Sequence, residues 1–174
     1  MDETELRILQ TLDAIIRQES LRSMIDSKVL QAEEKLVRHS ELLLAWEPIP
    51  MDVYDKGLPS PIRSSWVFVL RAGAKTGAER HPNSHQRMMS YRGSGDFQVQ
   101  IDGKWCSNIL TSNPTAPIER RWISIPPDTW HQAVVAERNW VVVSFHTVSE
   151  DELIEERPDS DNHKSISRRR YTKI

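Results

Sequence analysis

The stretch Gly73–Gly93, GAKTGAERHPNSHQRMMSYRG, holds Glu79, His81, His85 and Gln86 within eight residues. A second segment thirty residues on, Ile125-Pro-Pro-Asp-Thr-Trp-His131, adds one more histidine directly after a proline-rich turn. Imidazole, carboxylate and amide groups gathered at one place are what a divalent metal of the zinc, iron or manganese kind requires. On a strand, residues two apart face the same side, so Glu79 and His81 share a face. Pro82-Asn83-Ser84 reads as a turn, and Gln86 lies on the returning strand with Met88 and Ser90 on its face. A shift of one residue in that turn would exchange His85 for Gln86, because alternation keeps both from facing straight inward unless a bulge intervenes.

Around this stretch the chain is β-type. Runs at Trp66–Arg71, Gln86–Tyr91, Asp96–Ile101, Trp105–Leu110, Trp122–Ile125, His131–Ala136 and Trp140–His146 are separated by Gly, Asn and Pro turns. Phe97, Val99 and Ile101 alternate with Gln98 and Gln100, as in a half-buried strand. Asp102-Gly103 is a type I′ hairpin signal. Seven or so strands with no helix between them predict an antiparallel sandwich or a small barrel.

Spacing and residue type then give a resemblance. The first motif of the cupin superfamily is written G-x5-H-x-H-x(3,4)-E-x6-G. Gly73, Glu79, His81, Gln86 and Gly93 reproduce its spacings, with Glu79 in place of the first His and Gln86 in place of the Glu. The second motif, G-x5-P-x-G-x2-H-x3-N, is matched at Pro126 and His131, with Asp128 in place of its Gly; Arg120 and Val135 stand at its outer positions. The resemblance covers about Ser65 to Val148. It implies a mainly β fold, a germin-like double-stranded β-helix (jelly-roll) barrel, with one divalent transition metal (Fe, Zn or Mn) inside.

The candidate catalytic residues are Glu79, His81 and His131, which are also candidate metal ligands together with His85 and Gln86. Arg71, Gln86, Ser90 and Trp130 are candidates for holding substrate, with Arg87, Arg92 and Tyr91 as further polar groups near the centre. His146 is expected to be an ordinary rim residue, and nothing is expected of His39, His163 or a nucleophilic Cys106. Segment Arg121–His131 and the later Val-Val-Val-Ser-Phe-His are also similar to the distal-histidine half of 2-oxoglutarate oxygenases. There the order is His-x-Asp or His-x-Glu, whereas here it is Glu-x-His.

The expected activity is that of a metal-dependent oxygenase, lyase or isomerase acting on a small polar organic molecule. A non-catalytic small-molecule sensor and a metal-free epimerase or dehydratase are the alternatives.

Residues 1–47 form a different zone. Residues 2–46 carry no Gly or Pro, and Leu6, Leu9, Leu12, Ile16, Met24, Ile25, Val29, Ala32 and Leu36 fall near a 3.6-residue period. One or two amphipathic helices follow, broken around Glu19-Ser20, whose stripe must be covered by the barrel or by a second subunit. A homodimer involving these helices is expected. Residues 48–64 read as a linker, 65–149 as the barrel, and 150–174 as an acidic segment with one short helix and a solvated basic tail ending in Arg168-Arg169-Arg170.

The 174 residues carry a formal charge of −2, which singles out neither nucleic acid nor an acidic membrane as partner. A lone cysteine excludes an internal disulfide framework and suits a reducing, cytoplasmic setting. No apolar run reaches membrane-spanning length.

Overall fold

The computed structural model describes residues 2–54, 57–159 and 166–170. Two helices open the chain, α1 (Glu3–Ile16) and α2 (Glu19–Arg38). Asp2 caps α1 by accepting a hydrogen bond from the Glu5 amide at 2.8 Å. The helices separate at Arg17–Gln18, where Gln18 turns extended (φ −62°, ψ 136°). The strands follow as β1 (Leu44–Pro48), β2 (Ser64–Leu70), β3 (Gln86–Arg92), β4 (Ser94–Ile101), β5 (Lys104–Cys106) and β6 (Ile109–Thr111), then β7 (Trp122–Ile125), β8 (His131–Val134), β9 (Trp140–His146), β10 (Ile154–Pro158) and β11 (Ile166–Arg170).

Five strands form one antiparallel sheet in the order β1-β2-β9-β3-β7. In the facing sheet β4 pairs with β5, β6 and β8. Single bridges at Lys75↔Val134 and Glu79↔His131 lay the 75–80 segment beside β8, and Arg80↔Glu156 lays β10 beside that segment. The turns obey their chemistry. Asp102 and Gly103 both have positive φ (49° and 75°), as a type I′ hairpin demands. The motif glycines Gly73 (φ 75°) and Gly93 (φ 86°) occupy left-handed backbone that side chains rarely adopt.

Alternation along the five-stranded sheet divides the apolar residues between two cores. Val67, Val69, Met89, Val141, Val143 and Phe145 face outward and pack with Leu9, Leu12, Ile16, Ile25, Val29 and Leu36 of the helices. Leu70, Met88, Trp140 and Val142 face inward and meet Phe97, Leu110 and Ala133 of the second sheet. Each aliphatic side chain fully buried in this way contributes about 1.5–3 kcal/mol relative to exposure. The helical stripe is thus covered by the chain's own sheet and demands no second subunit. Two polar locks fix α1 in register. Glu5 holds Arg87 through two bonds of 2.7 Å, and Asp13 pairs with Arg121 and accepts from Trp122 Nε1 at 2.9 Å.

Four expectations need correction. The acidic segment after Val148 contains β10 rather than a helix, because its carboxylates alternate and find partners on neighbouring strands. Arg168, Arg169 and Arg170 belong to β11, hydrogen-bonded to β10, rather than to a solvated tail. Leu44–Pro48, at the end of the expected helical zone, is an edge strand of the large sheet. The run Trp105–Leu110 is two short strands, parted where the Ser107 side chain and the Asn108 backbone N–H both bond Asp96. Among the described residues no helix is long and apolar enough to cross a membrane.

Candidate metal centre

Glu79 and His131 are direct cross-strand partners: each backbone N–H donates to the other's carbonyl, at 2.9 and 2.8 Å. Their side chains therefore leave the sheet on the same face. His81, two residues on from Glu79, joins them. One ligand-type atom from each of the three lies within 4.8 Å of the others. The two imidazole centroids stand 5.3 Å apart, and both histidines are buried.

The protein sets the tautomer of each ring. His81 Nδ1 lies 3.0 Å from the Ile154 carbonyl and His131 Nδ1 lies 2.9 Å from the Thr129 carbonyl. A carbonyl only accepts, so both Nδ1 atoms carry hydrogen, and in the neutral form of each ring Nε2 carries the lone pair. Nε2 of His131 is buried without a hydrogen-bond partner and lies 3.6 Å from Glu79 Oε1. Such an orphaned acceptor typically costs about 1–3 kcal/mol, and a metal ion would satisfy it.

Charge states suit the same role. Burial raises the Glu79 pKa, but the His131 ring, then Arg157 and the charges of both imidazoles, outweigh it and hold the carboxyl down at about 2. Burial, followed by the neighbouring His131, lowers the pKa of His81 against the partial opposition of Glu79. An ionised carboxylate and a neutral imidazole are the forms that bind metals.

A further layer surrounds these three. Arg157 on β10 donates to Glu79 Oε2, leaving Oε1 on the side of His131. The same guanidinium reaches Glu155 Oε1 at 2.7 Å and the Thr76 carbonyl at 3.2 Å. His146 closes the other side, with its ring 5.0 Å from that of His81. Its two nitrogens meet Ser84 Oγ at 3.2 Å and Ser144 Oγ at 3.1 Å, so it braces the centre. Burial, then His81 and His131, hold its pKa well below that of a free imidazole. His146 is not a rim residue: it shares the inward phase of Trp140, Val142 and Ser144 on β9 and is 2% exposed.

The centre opens into a cavity of about 500 Å³ between the sheets. Gln86 lines it, with Nε2 donating to Ser144 Oγ at 3.0 Å. His85, one residue earlier, takes the opposite phase. Its ring bonds Ser124 Oγ at 2.7 Å beside Glu5, on the helix-covered face, so it is not gathered with Glu79. Arg71 is also elsewhere: its guanidinium donates to the carbonyls of Leu36, His39 and Leu42 and closes the end of α2. Ser90 accepts from Trp140 Nε1 at 2.9 Å and supports the cavity wall from behind. Trp130 lies outside the lining, with the Arg80 guanidinium 4.7 Å above its ring. Arg87 is held by Glu5, while Tyr91 and Arg92 reach Asp26 of α2.

Three further charged groups that line the cavity, Glu155, Arg157 and Arg169, come from the two strands beyond the motif region. Their alternation in the 155–157 stretch was the available signal. His39 is exposed beside Glu41, and His163 lies outside the described residues.

No protein-family model matches this chain, and no curated protein does. Among solved structures it is similar to coconut cocosin, at 18% identity and a TM-score of 0.46 over 54% of this chain and 23% of cocosin. The capsular polysaccharide assembling protein CapF from Staphylococcus aureus is similar at 11% identity and a TM-score of 0.48, over 63% of this chain and 29% of CapF. An oxalate oxidase in complex with the substrate analogue glycolate gives 13% and 0.48, over 63% of this chain and 53% of the oxidase. The chain thus spans between about a quarter and about half the length of these proteins.

Within the chain itself, two antiparallel sheets face each other across a cavity, left-handed glycines bracket the first motif, and the second motif delivers His131 opposite Glu79. The chain therefore folds as a two-sheet antiparallel β-barrel, with a group of three side chains inside it that could hold a metal ion.

Proposed function

We propose that the protein is a metal-dependent enzyme whose Glu79, His81 and His131 hold one divalent transition ion, iron, zinc or manganese. The observation that carries this reading is the pair of imidazoles locked by backbone carbonyls at Nδ1, with Nε2 of His131 buried and unpartnered next to an ionised carboxylate. Two imidazoles and a carboxylate leave coordination positions open. A bound ion would act there as a Lewis acid or as an oxygen activator.

The remaining groups have separate tasks. Arg157 orients the Glu79 carboxylate by occupying Oε2, as outer partners of metal ligands do. Ser84 and Ser144 fix the ring of His146, which packs His81 in place. The apolar inner wall excludes water from the substrate. The reaction is an oxygenation, or a lyase or isomerase step, on a small organic molecule held in the cavity.

Protein purified without chelator is expected to carry about one such ion per chain, measured by inductively coupled plasma mass spectrometry. His81→Ala and His131→Ala should each lose it, while His85→Ala keeps it. A chain without metal, or one that retains it after both substitutions, overturns the proposal.

A further inference from the structure

Beside the metal centre, two more buried acceptors of the cavity wall lack a protein donor: Oε1 of Gln86 and Oε2 of Glu155. The reason lies in their neighbours. Gln86 commits its amide N–H to Ser144. On Glu155, which is 1% exposed, every guanidinium contact converges on Oε1: Arg157 Nε at 2.7 Å, Arg169 Nε at 2.9 Å and Arg169 Nη2 at 2.7 Å. Oε2 of a buried carboxylate is thereby left facing no donor. Buried acceptors are normally satisfied, so a wall with two open ones is complementary to a ligand that brings donors.

The cations of the lining are already matched. Arg157 and Arg169 serve Glu79 and Glu155, and Lys35 pairs with Glu47 at 2.6 Å. Among the described residues of the lining, no unmatched positive side chain waits for a carboxylate or phosphate head. Thr76 and Gln132 also line the cavity and are hydrogen-bonded within the protein, and most of the remaining wall is apolar. Phe68, Phe97, Trp140 and Val142 line the interior, and Leu42 and Leu43, partly exposed between α2 and β1, continue it to the mouth.

We propose that the ligand of this cavity is amphipathic: an aliphatic chain or aromatic ring along that apolar wall, with two or more hydroxyl or N–H donors at the buried end for Gln86 Oε1 and Glu155 Oε2. This deepens the proposed function by naming a substrate class. It rests on the reading of the cavity as the substrate site, and its recognition chemistry does not depend on the metal. A head group that brings acceptors alone leaves both oxygens unpaired and is rejected, since a site built to accept from a substrate discriminates strongly against analogues lacking the donors.

Three non-chelating probes separate the two halves of the ligand: 4-hexylresorcinol (apolar chain and two hydroxyl donors), its dimethyl ether (chain without donors) and resorcinol (donors without chain). Binding to the full chain is measured by titration calorimetry, first after chelator treatment and again after metal reloading. Hexylresorcinol should bind at least about tenfold more tightly than either of the others, which corresponds to one decade in Kd.

Gln86→Met should reduce that preference about tenfold without weakening the dimethyl ether, and Gln86→Glu, which keeps an acceptor, should retain it. Thermal melts of both variants verify the fold. Glu155 is left intact because it holds two arginines in place. Equal affinity for the diol and its ether, equal affinity for the diol and resorcinol, or no binding of any probe at millimolar concentration overturns the proposal. The chelated arm keeps this outcome distinct from the metal assay: a chain that binds no metal yet prefers the diol overturns the metal centre alone.

Discussion

Replacing Gly95 with alanine tests the packing that shapes the cavity. Gly95 sits on β4 opposite Leu110, and its α-carbon passes directly over the indole of Trp140. A methyl group added there would stand 2.6 Å from both Cδ2 and Cζ3 of that ring. Ordinary carbon contacts are about 3.5–4.0 Å, so the ring must move. Trp140 is fully buried, lines the cavity and donates from Nε1 to Ser90 Oγ at 2.9 Å, so displacement also breaks a buried hydrogen bond.

Overpacking costs about 1–3 kcal/mol, and an unsatisfied buried N–H adds about 1–3 kcal/mol. A loss near 3 kcal/mol would lower Tm by roughly 6–12 °C for a chain of this length. Urea unfolding followed by tryptophan fluorescence, with the midpoint compared at constant slope, measures it. The same substitution placed on Trp140→Phe should cost less, because the fused carbons Cε3 and Cζ3 that crowd Gly95 and the indole N–H bonded to Ser90 are both gone, and the double-mutant cycle reads the coupling. A loss below about 0.5 kcal/mol, or a coupling near zero, would refute the stated contact.

Acid should loosen the helices from the sheet. Burial raises the Asp13 pKa, but hydrogen bonds from Arg121, Arg17 and Trp122 outweigh it and hold the carboxyl below its ordinary 3.8. Glu5, gripped by Arg87 and Ser124, is likewise held below 4.5. Because the folded values are depressed, the stability these groups confer is present above the unfolded values and is lost as pH falls through the folded ones. Urea midpoints from pH 6 to pH 2 should show that limb, and Asp13→Asn should flatten it; an unchanged limb would count against the Asp13 lock. Arg71→Ala removes three bonds to the carbonyls that end α2 and should cost about 1–3 kcal/mol in stability with probe affinity unchanged. An affinity loss at unchanged stability would return Arg71 to the cavity.

Glu79, His81 and His131 were legible as candidates because each sits in a local pattern. Glu79 and His81 share a face by strand alternation, and Pro126 and His131 keep the spacing of a turn that leads into a strand. Alternation likewise separates Gln86 from His85 once β3 is known to begin at Gln86. His146 was misread although its phase with Trp140, Val142 and Ser144 was visible, because the end of a strand does not announce whether anything covers it. Arg71 and Trp130 were misplaced for a related reason. Position beside a motif says nothing about which carbonyls or rings a long side chain will find.

What the sequence by itself determined is the set of short-range periods: helices of 3.6 residues, strands of 2, turns at the motif glycines and at Asp102-Gly103. These follow from the sterics of each residue and its immediate neighbours. The tertiary structure alone decided which strands lie side by side, and hence that Glu79 meets His131 across one pair while Arg80 meets Glu156 across the next. That second pairing carries Glu155 and Arg157 to the centre from more than seventy residues away and sets Arg169 beside them. Register between distant strands is a property of the assembled sheet, fixed by which faces can be buried together, and so the chemistry of the cavity's polar wall emerges only on folding.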